Sequence, residues 1–416
     1  MLHADNGMMS SQALHAQCCI VGGGPAGLFL GFLLARAGVE VVVLEKHGDF
    51  LRDFRGDTIH PSTIDLLAEL GLKDEFLALD HDEITTLDAV VSGNRIRPVN
   101  FRRLHSGTRF LAFMPQWDFL NFIAGKAQAY PNFRLVMRAD ADELIRDGAR
   151  VGGVRATTPD GAIEVRADLT IAADGRSSTI RALAGLVPRQ FGVAVDVLWF
   201  RLPKLGPTPP PTLAYIDRHS MVLAIPRREY YQSGMLIEKG SFDAIRAAGI
   251  PAFRDRIRSA AAFLSEAVTE LKDWDQVKLL SVQVNRLDRW HRPGLLCIGD
   301  AAHAMSPVFG VGVNYAIQDA VATANILAEL LIAGAVTEAD LHRVQRRRMP
   351  PVRRMQPIQL QVHKRFGRAD SGIDLPHPLP YRWRLAIRLF TPIVQWVAAH
   401  LVGRGFRPEH LRPGLR

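Results

Sequence analysis

The first structured stretch of the chain alternates apolar runs with a glycine-rich turn and a helix-forming segment. An apolar run with β-branched residues over 18–21 predicts a buried strand, and the glycine-rich turn follows it at once. Residues 28–37 are mostly apolar and helix-forming, and Gly38 is placed to end that helix. A second apolar run over 39–44 is closed by Glu45. The order of strand, turn, helix, strand and acid predicts one compact βαβ unit.

Two later apolar runs each end in a turn that carries an aspartate. Residues 168–173 predict a strand that ends in an Asp-Gly turn at Asp174. Residues 295–298 predict another buried strand, which ends in a Gly-Asp turn at Asp300 and leads to a long apolar helix over 316–332. These turns are far apart along the chain, so they can share a site only after folding.

The remaining segments predict a second sheet and a helical end. Short strand-like runs alternate with polar residues over 85–113. Stronger signals predict strands over 195–202, 212–216, 221–225 and 230–238, a helix over 242–271 and a returning strand over 277–285. After about residue 332 the chain is basic, with an amphipathic helix over 336–361 that is broken at Pro350-Pro351 and one or two more helices over 381–402.

Composition is typical of a globular protein of the cytoplasm. The 416 residues suffice for two or three domains, and 48% hydrophobic with 22% charged residues exclude a disordered chain. Three cysteines cannot build a disulfide framework, and residues 1–17 lack the basic start and apolar core of an export signal. Residues 385–403 contain Arg388 and Pro392, which makes that stretch too polar for a transmembrane helix.

The 51 Lys and Arg residues exceed the 42 Asp and Glu residues by 9. Apart from the run over 346–348 the charge is scattered, and that run indicates either a solvated helix face or a field that attracts anionic ligands. We find no motif for nucleic-acid recognition and expect no such partner. The C-terminal helices either pack against the body or contact a membrane surface or partner.

The glycine-rich turn has the spacing G-x-G-x-x-G at Gly22, Gly24 and Gly27. The first glycine permits a tight turn, the second lets the backbone approach a pyrophosphate, and the third lets helix and strand pack closely. The start of the helix offers N–H groups and positive partial charge to the phosphates. Glu45, which follows Gly27 by 18 residues, can accept a hydrogen bond from a ribose hydroxyl. The unit predicts a dinucleotide site, with a plain structural turn as the alternative.

The two aspartate turns help to distinguish FAD from NAD. Asp300 at a strand end can hold a polyol hydroxyl, and the glycines that follow let N–H groups approach a ring edge with a helix dipole behind them. The turn at Asp174 is also typical of a structural turn in which Ser177 or Ser178 caps the next helix.

With these three motifs in this order, the chain resembles the single-component (group A) FAD-dependent monooxygenases, the family of para-hydroxybenzoate hydroxylase and related aromatic hydroxylases. The resemblance covers residues 18–332. It implies an α/β fold with a discontinuous Rossmann-like FAD-binding domain, an inserted mixed β-sheet substrate domain and a C-terminal helical region. It also implies FAD as cofactor, NADH or NADPH as co-substrate, and no metal.

The resemblance further implies where FAD lies. Gly22, Gly24 and Gly27 would contact its pyrophosphate, and Glu45 its adenosine ribose. The other implied cofactor-binding residues are Arg55 near the flavin, Gln116 near the ribityl chain, Asp174 with Arg181 beside FAD and the nicotinamide, Asp300 on the ribityl hydroxyls, and Pro307, Gly310, Gly312 and Asn314 along the isoalloxazine edge.

The implied reaction hydroxylates an aromatic or polyketide-like small molecule with NAD(P)H and O2 through a flavin hydroperoxide. A reductase or dehydrogenase that acts on a prenyl or quinonoid substrate is the alternative, and a flavoprotein with only a binding role is a third possibility. The candidates for a catalytic base are His60, Tyr215 and Tyr231. The candidates for the pocket wall, which ordinary core would also explain, are Trp199, Phe200, Tyr215, Met221, Leu223, Tyr231 and Met235.

The predicted domains follow from these segments. Residues 1–16 would form a flexible tail. The FAD-binding domain would comprise 17–84, 112–185 and 286–335, the substrate domain 85–111 and 186–285, and the helical region 336–416. Neither the identity of the substrate nor the oligomeric state follows from the sequence.

Overall fold

The computed structural model of the chain describes residues 12–51, 58–205, 213–217, 220–366, 376 and 380–415. The strands are β1 Gln12–Val21, β2 Val41–Glu45, β3 Thr58–Ile59, β4 Asp82–Ile84, β5 Thr86–Val91, β6 Asn94–Asn100, β7 Leu111–Phe113, β8 Phe133–Met137, β9 Asp140–Asp147, β10 Arg150–Thr158, β11 Gly161–Ala172, β12 Arg189–Phe191, β13 Val195–Pro203, β14 Ala214–Ile216, β15 Met221–Pro226, β16 Tyr230–Glu238, β17 Lys278–Leu280, β18 Val284–Arg286, β19 His291–Arg292 and β20 Leu295–Cys297. The helices are α1 Pro25–Arg36, α2 Pro61–Glu69, α3 Lys73–Leu77, α4 Gln116–Gln128, α5 Thr179–Leu183, α6 Phe242–Ala247, α7 Gly249–Ala260, α8 Gly312–Ile332, α9 Glu338–Phe366 and α10 Tyr381–Gly403.

The first sheet is built around the predicted βαβ unit. Its order is β19-β20-β11-β1-β2-β8, and β20, β11, β1, β2 and β8 run parallel. Strand β10 pairs antiparallel with the first half of β11, and β9 pairs antiparallel with β10. Because parallel strands end at one edge, the carboxyl ends of β20, β11, β1 and β2 lie side by side.

Strand β1 is longer than the apolar run alone indicates. It begins at Gln12, which pairs with Ile163 of β11. The predicted boundary between tail and domain at residue 17 therefore falls inside a strand. Pairing with a long neighbour extends the strand beyond its own hydrophobic run.

The second sheet has the order β17-β13-β16-β15-β14-β5-β6 and is antiparallel except for the pair of β14 and β5. Its strands come from two separate stretches of chain, 86–100 and 195–280. Helix α7 packs against β15, and buried side chains from alternate positions of the strands form a core with α7. The mixed sheet and the Rossmann-like sheet confirm the predicted α/β fold class, while the exact limits of the domains stay a prediction.

Three predicted elements differ from the structure. The helix predicted over 242–271 divides into α6 and α7 at Gly249, whose φ of +88° lies in the left-handed region, and short 3-10 turns follow α7. The strand predicted over 277–285 is two strands, β17 and β18. Helix α9 runs without a break through Pro350 and Pro351. Burial of Val352 and Met355 in the main core stabilises α9 despite these prolines.

The basic run over 346–348 within α9 is only partly a solvated face, since Arg346 is exposed and the other two arginines are paired. Arg348 is only 1% exposed, and its Nε donates to Asp319 Oδ1 over 2.9 Å. Arg347 donates to Glu409, which also accepts a hydrogen bond from Arg348. Arg347 and Arg348 therefore join α8, α9 and the C-terminal segment by ion pairs.

The contact between α1 and β1 leaves no space for a side chain at Gly27. A Cβ there would lie 1.9 Å from Gly22 O, so Gly27→Ala should lower the free energy of unfolding by at least about 2 kcal/mol. The measurement is the urea midpoint of the purified protein. Gly125→Ala, in an exposed turn of α4 where a Cβ meets nothing within 4 Å, is the control and should raise stability slightly. Equal effects of the two substitutions would contradict this packing argument.

Candidate active site

The three motif turns lie together at the carboxyl edge of the first sheet. A Cβ on Gly22 would stand 2.4 Å from Ala173 O, so the first and second turns touch through their backbones. Arg181 Nη1 donates to Ala301 O over 3.0 Å, which joins the second turn to the third. Residues that are more than a hundred positions apart thus form one edge, because β20, β11 and β1 are neighbours.

The N-terminus of α1 opens into free space at this edge. Gly24 is its N-cap, without a capping side chain, and the first turn of α1 contains no acidic residue. A Cβ on Gly24 would meet no heavy atom within 4 Å, in contrast to Gly22 and Gly27. Glu45 Oε2 accepts the N–H of Gly23 over 2.8 Å at the margin of this space. An uncapped helix start with room in front of it fits the pyrophosphate of FAD.

Asp174 holds the shape of the second turn. Its carboxylate accepts hydrogen bonds from Ser178 Oγ over 2.5 Å and from the N–H of Ile180 over 3.1 Å. Burial raises the pKa of Asp174, although these hydrogen bonds act in the opposite direction. The described contacts are those of a helix cap, so contact of Asp174 with FAD or a nicotinamide stays a prediction.

Asp300 lies in the 3-10 turn Gly299–Ala301 directly after β20. Its side chain is 32% exposed, and its Oδ2 is 3.8 Å from Arg176 Nη2. A carboxylate at a strand end with this exposure is able to accept hydrogen bonds from a polyol, as the ribityl chain of FAD requires.

A buried ionic network supports the Asp300 turn from behind. Asp319 of α8 accepts hydrogen bonds from the N–H of Gly299 over 3.1 Å, from His303 Nε2 over 2.6 Å and from Arg348 Nε. Burial alone would raise the pKa of Asp319, but His303 and Arg348 lower it below its usual range. Asp319 was not among the predicted site residues, although an aspartate inside an apolar helix is a signal that a partner exists. His303 contributes to this scaffold through its bond to Asp319.

The segment before α8 has an unusual backbone. Phe309 has a φ of +68° and Gly310 a φ of +64°, both in the left-handed region that is rare for a residue with a Cβ. A Cβ on Gly310 would lie 2.6 Å from Thr58 Oγ1, and that hydroxyl donates to Gly310 O. Ser306 is anchored by His363, whose Nε2 is 2.7 Å from its Oγ. Close packing on both sides therefore maintains a strained turn beside the predicted flavin edge.

Asn314 fastens the start of α8 to α2. Its Oδ1 accepts hydrogen bonds from the N–H of His60 over 3.0 Å and from Thr63 Oγ1 over 2.7 Å. This side chain is buried, so any contribution of Asn314 to the flavin edge passes through its backbone. That contribution stays a prediction, as it does for Pro307 and Gly312 in the same segment.

His60 is buried next to Gly310. Its Nδ1 is 2.6 Å from Val402 O and must carry the proton, whereas Nε2 is buried without a hydrogen-bond partner among the described residues. Burial lowers the pKa of His60 to about 4, so the ring is neutral near pH 7 and is a weak base. These contacts suit a positioning residue better than a catalytic base.

The two tyrosine candidates lie on the opposite side of the second sheet from Trp199. Tyr215 and Tyr231 pack against Phe263 in the core with α7. Trp199 packs instead in the cluster that contains Phe309 of the segment before α8. This division follows from the alternation of side chains along the strands. Among the other wall candidates, Phe200 and Met235 lie in the core with α7, and Met221 and Leu223 lie in a small separate cluster.

Gln116 and Arg55 are the two remaining residues predicted to bind the cofactor. Gln116 is the half-buried first residue of α4 and follows β7, which pairs with β3. Arg55 lies outside the described residues.

The fold and the edge that it forms define an FAD-dependent oxidoreductase, and comparison with known proteins makes this specific. The FAD binding domain family matches residues 15–356. The 6-methylpretetramide 4-monooxygenase of Streptomyces rimosus is 32% identical over 365 residues, which cover 86% of this chain and 87% of that protein. The chain belongs to the FAD binding domain family. It is an FAD-dependent monooxygenase with NAD(P)H as co-substrate, which confirms the predicted class and cofactors.

Solved structures agree with this fold. A probable FAD-dependent monooxygenase of Pseudomonas aeruginosa, PqsL, superposes with a TM-score of 0.73 at 21% identity and covers 86% of this chain and 98% of its own. The p-nitrophenol 4-monooxygenase PnpA of Pseudomonas putida has a TM-score of 0.72 at 19% identity and covers 95% of this chain and 100% of its own.

The position of Asp300 predicts a loss of flavin in Asp300→Ala. Removal of the carboxylate deletes hydrogen bonds to the ribityl chain, and we expect FAD affinity to fall about tenfold or more. Flavin absorbance after gel filtration measures the effect, and Asp160→Ala on an exposed turn is the control. Unchanged flavin content in Asp300→Ala would contradict the assigned role.

Two buried histidines predict sensitivity to acid. Burial lowers the pKa of His60 and of His363 from 6.5 to about 4. Between these values the unfolded chain binds the protons and the folded protein does not, so stability is complete above the unfolded pKa and decreases as the pH falls. From about pH 7 to about pH 5 the loss should be about 2 kcal/mol per histidine, measured by urea unfolding. His60→Gln should lose less than the wild type, and parallel losses would refute the assignment.

Proposed function

We propose that the enzyme hydroxylates an aromatic, polyketide-like small molecule. In this reaction a substrate C–H, O2, NAD(P)H and a proton give a C–OH, water and NAD(P)+. The relative at 32% identity is named for 6-methylpretetramide, and a protein of the same fold is named for p-nitrophenol. The observation that carries the proposal for this chain is an apolar wall that meets the segment before α8.

The apolar wall is a cluster between the side of the second sheet opposite to α7, strand β7 and the C-terminal half of α10. It contains Val99, Phe101, Leu104, Leu111, Phe113, Ile225, Ala399 and Val402 with the half-buried Trp199, Leu213 and Phe309. Phe309 belongs both to this wall and to the main core, so the wall reaches the predicted flavin edge. Apolar and aromatic side chains there exclude water and fit a flat ring system.

One polar group on the wall suits an oxygenated substrate. Trp199 Nε1 is buried and has no hydrogen-bond partner among the described residues. Buried donors are rarely left unpaired, so this N–H is a candidate donor to a carbonyl or phenol oxygen of the substrate.

The chain's own residues bind and orient the reacting groups. The N-terminus of α1 holds the pyrophosphate, Glu45 the ribose and Asp300 the ribityl chain. The N-terminus of α8 carries positive partial charge and would stabilise negative charge that develops on a bound flavin. FAD, when bound, supplies the redox chemistry, since it accepts a hydride from NAD(P)H and delivers one oxygen atom of O2.

His60 acts as a positioning residue in this proposal. Its ring is bonded to Val402 O and packs beside Gly310, and it stays neutral, so it would support the turn without adding charge beside a bound flavin. We assign no described side chain as a catalytic base. We place the reaction in the cytoplasm, where NAD(P)H is available and the three buried free thiols Cys18, Cys19 and Cys297 stay reduced.

The role of the Trp199 N–H predicts a selective change in Trp199→Phe. Flavin content should stay the same, while KM for a substrate that carries a carbonyl or phenol should rise about tenfold because one buried hydrogen bond is lost. NAD(P)H oxidation with detection of a product that has gained one oxygen atom measures the reaction. Tyr215→Phe removes a polar group from the opposite face and is the matched control.

The experiment tests the proposed hydroxylation and the role of Trp199 separately. If the wild type oxidises NAD(P)H with such compounds but yields no oxygenated product, the proposed hydroxylation is wrong. If hydroxylation occurs and Tyr215→Phe changes KM as much as Trp199→Phe does, only the assignment of the wall is wrong.

A further inference from the structure

Helix α10 carries the largest exposed apolar surface of the described chain. Ten of the sixteen exposed large hydrophobic side chains belong to this one helix. Leu389, Phe390 and Ile393 are each more than 60% exposed. The others are Tyr381, Trp383, Leu385, Ile387, Val394, Trp396 and Val397. A contiguous patch of this kind marks a contact with another apolar phase or surface.

Helix α10 packs against the body through a few residues of its C-terminal half and turns most of its large apolar side chains away from the body. Its side toward the body includes Gln395, which donates to Arg97 O over 3.0 Å and accepts a hydrogen bond from Arg103 Nε over 3.0 Å. Ile393 and Val397 lie about 160° around the helix from Gln395 and face away from the body. A helix that evolved only to cover the body would turn its apolar side inward.

The charged residues of α10 itself are all basic. Helix α10 contains Arg382, Arg384 and Arg388 and no acidic residue. The 3-10 turn Phe101–Arg103, which packs against α10, adds two more arginines, whereas Arg95 and Arg97 of the adjacent β6 are paired with Asp88 of β5. The patch therefore suits an anionic partner. A second copy of this chain would bring the same arginines together without a counter-charge, which disfavours self-association.

We propose that α10 docks the enzyme on the surface of an anionic lipid bilayer. Its apolar face would enter the region between headgroups and acyl chains, and its arginines would contact the headgroups. Trp383, Trp396 and Tyr381 are residue types that prefer this interface.

Docking differs from crossing the bilayer. Two described helices are long and apolar enough to span a membrane by length and composition, namely Val308–Ile332 and α10. The first is mostly buried in the body, as expected of a core helix. By length and composition α10 is therefore more apolar than the prediction for residues 385–403 allowed. However, Gln395, Ala399 and Val402 are buried against the body, which keeps α10 at the protein surface.

Vesicle flotation of the FAD-loaded full-length enzyme tests the proposal. The wild type should float with vesicles of phosphatidylcholine and phosphatidylglycerol, and much less with phosphatidylcholine alone or at high salt. The triple variant Leu389→Ser, Phe390→Ser, Ile393→Ser should lose binding. Arg382→Gln and Arg388→Gln should each weaken binding to the anionic vesicles about fivefold. Val187→Ser, which changes an 85% exposed apolar residue elsewhere, is the matched control.

Flavin content and circular dichroism of each variant show whether the fold is intact. If the wild type does not bind anionic vesicles, the proposal is wrong. Concentration-dependent dimers that the triple variant abolishes, without vesicle binding, would assign the patch to a second copy instead. Resistance to alkaline extraction from membranes would indicate a spanning helix and would also overturn it.

Discussion

The close backbone contact between the glycine-rich turn and the turn after β11, at the carboxyl edge of the first sheet, determines where every part of the site lies. Val21 pairs with Ala172, so the turns after β1 and β11 begin at the same level. Gly22 has space only for a hydrogen atom against Ala173 O, and Gly27 has no more against Gly22 O. Because the turns meet this closely, the N-terminus of α1 and the turns at Asp174 and Asp300 share one edge and can bind one extended cofactor.

A buried ionic network provides the second constraint. Removal of Asp319 and Arg348 from water is costly, and the cost is offset only because Asp319 has three donors and Arg348 has two acidic partners. The network connects the turn at Gly299 to α9 and to Glu409 near the C-terminus. The C-terminal region therefore supports the cofactor edge mechanically, although none of its predicted residues was expected to bind FAD.

The second sheet separates structural from functional residues by alternation. Its strands direct Tyr215, Tyr231 and Phe200 toward α7, and Trp199 toward Phe309. Alternation was visible along each strand, but the sequence does not say which face meets the flavin domain. The same limit applies to α10, where periodicity predicts an amphipathic helix and only packing shows that the apolar side faces outward.

The sequence by itself determined the βαβ unit, the glycine spacing and most strands of the second sheet, because these depend on local backbone conformation and on short-range periodicity, and the resemblance of its three motifs to a known family indicated the class of flavoenzyme. The strand predicted over 230–238 and the start of α6 at Phe242 coincide with the structure for this reason. Only the tertiary structure decided that Arg348 is buried, that α9 continues through Pro350 and that His60 bonds to Val402. Those outcomes depend on partners from distant parts of the chain, and the burial that selects them exists only once the sheets and helices have packed.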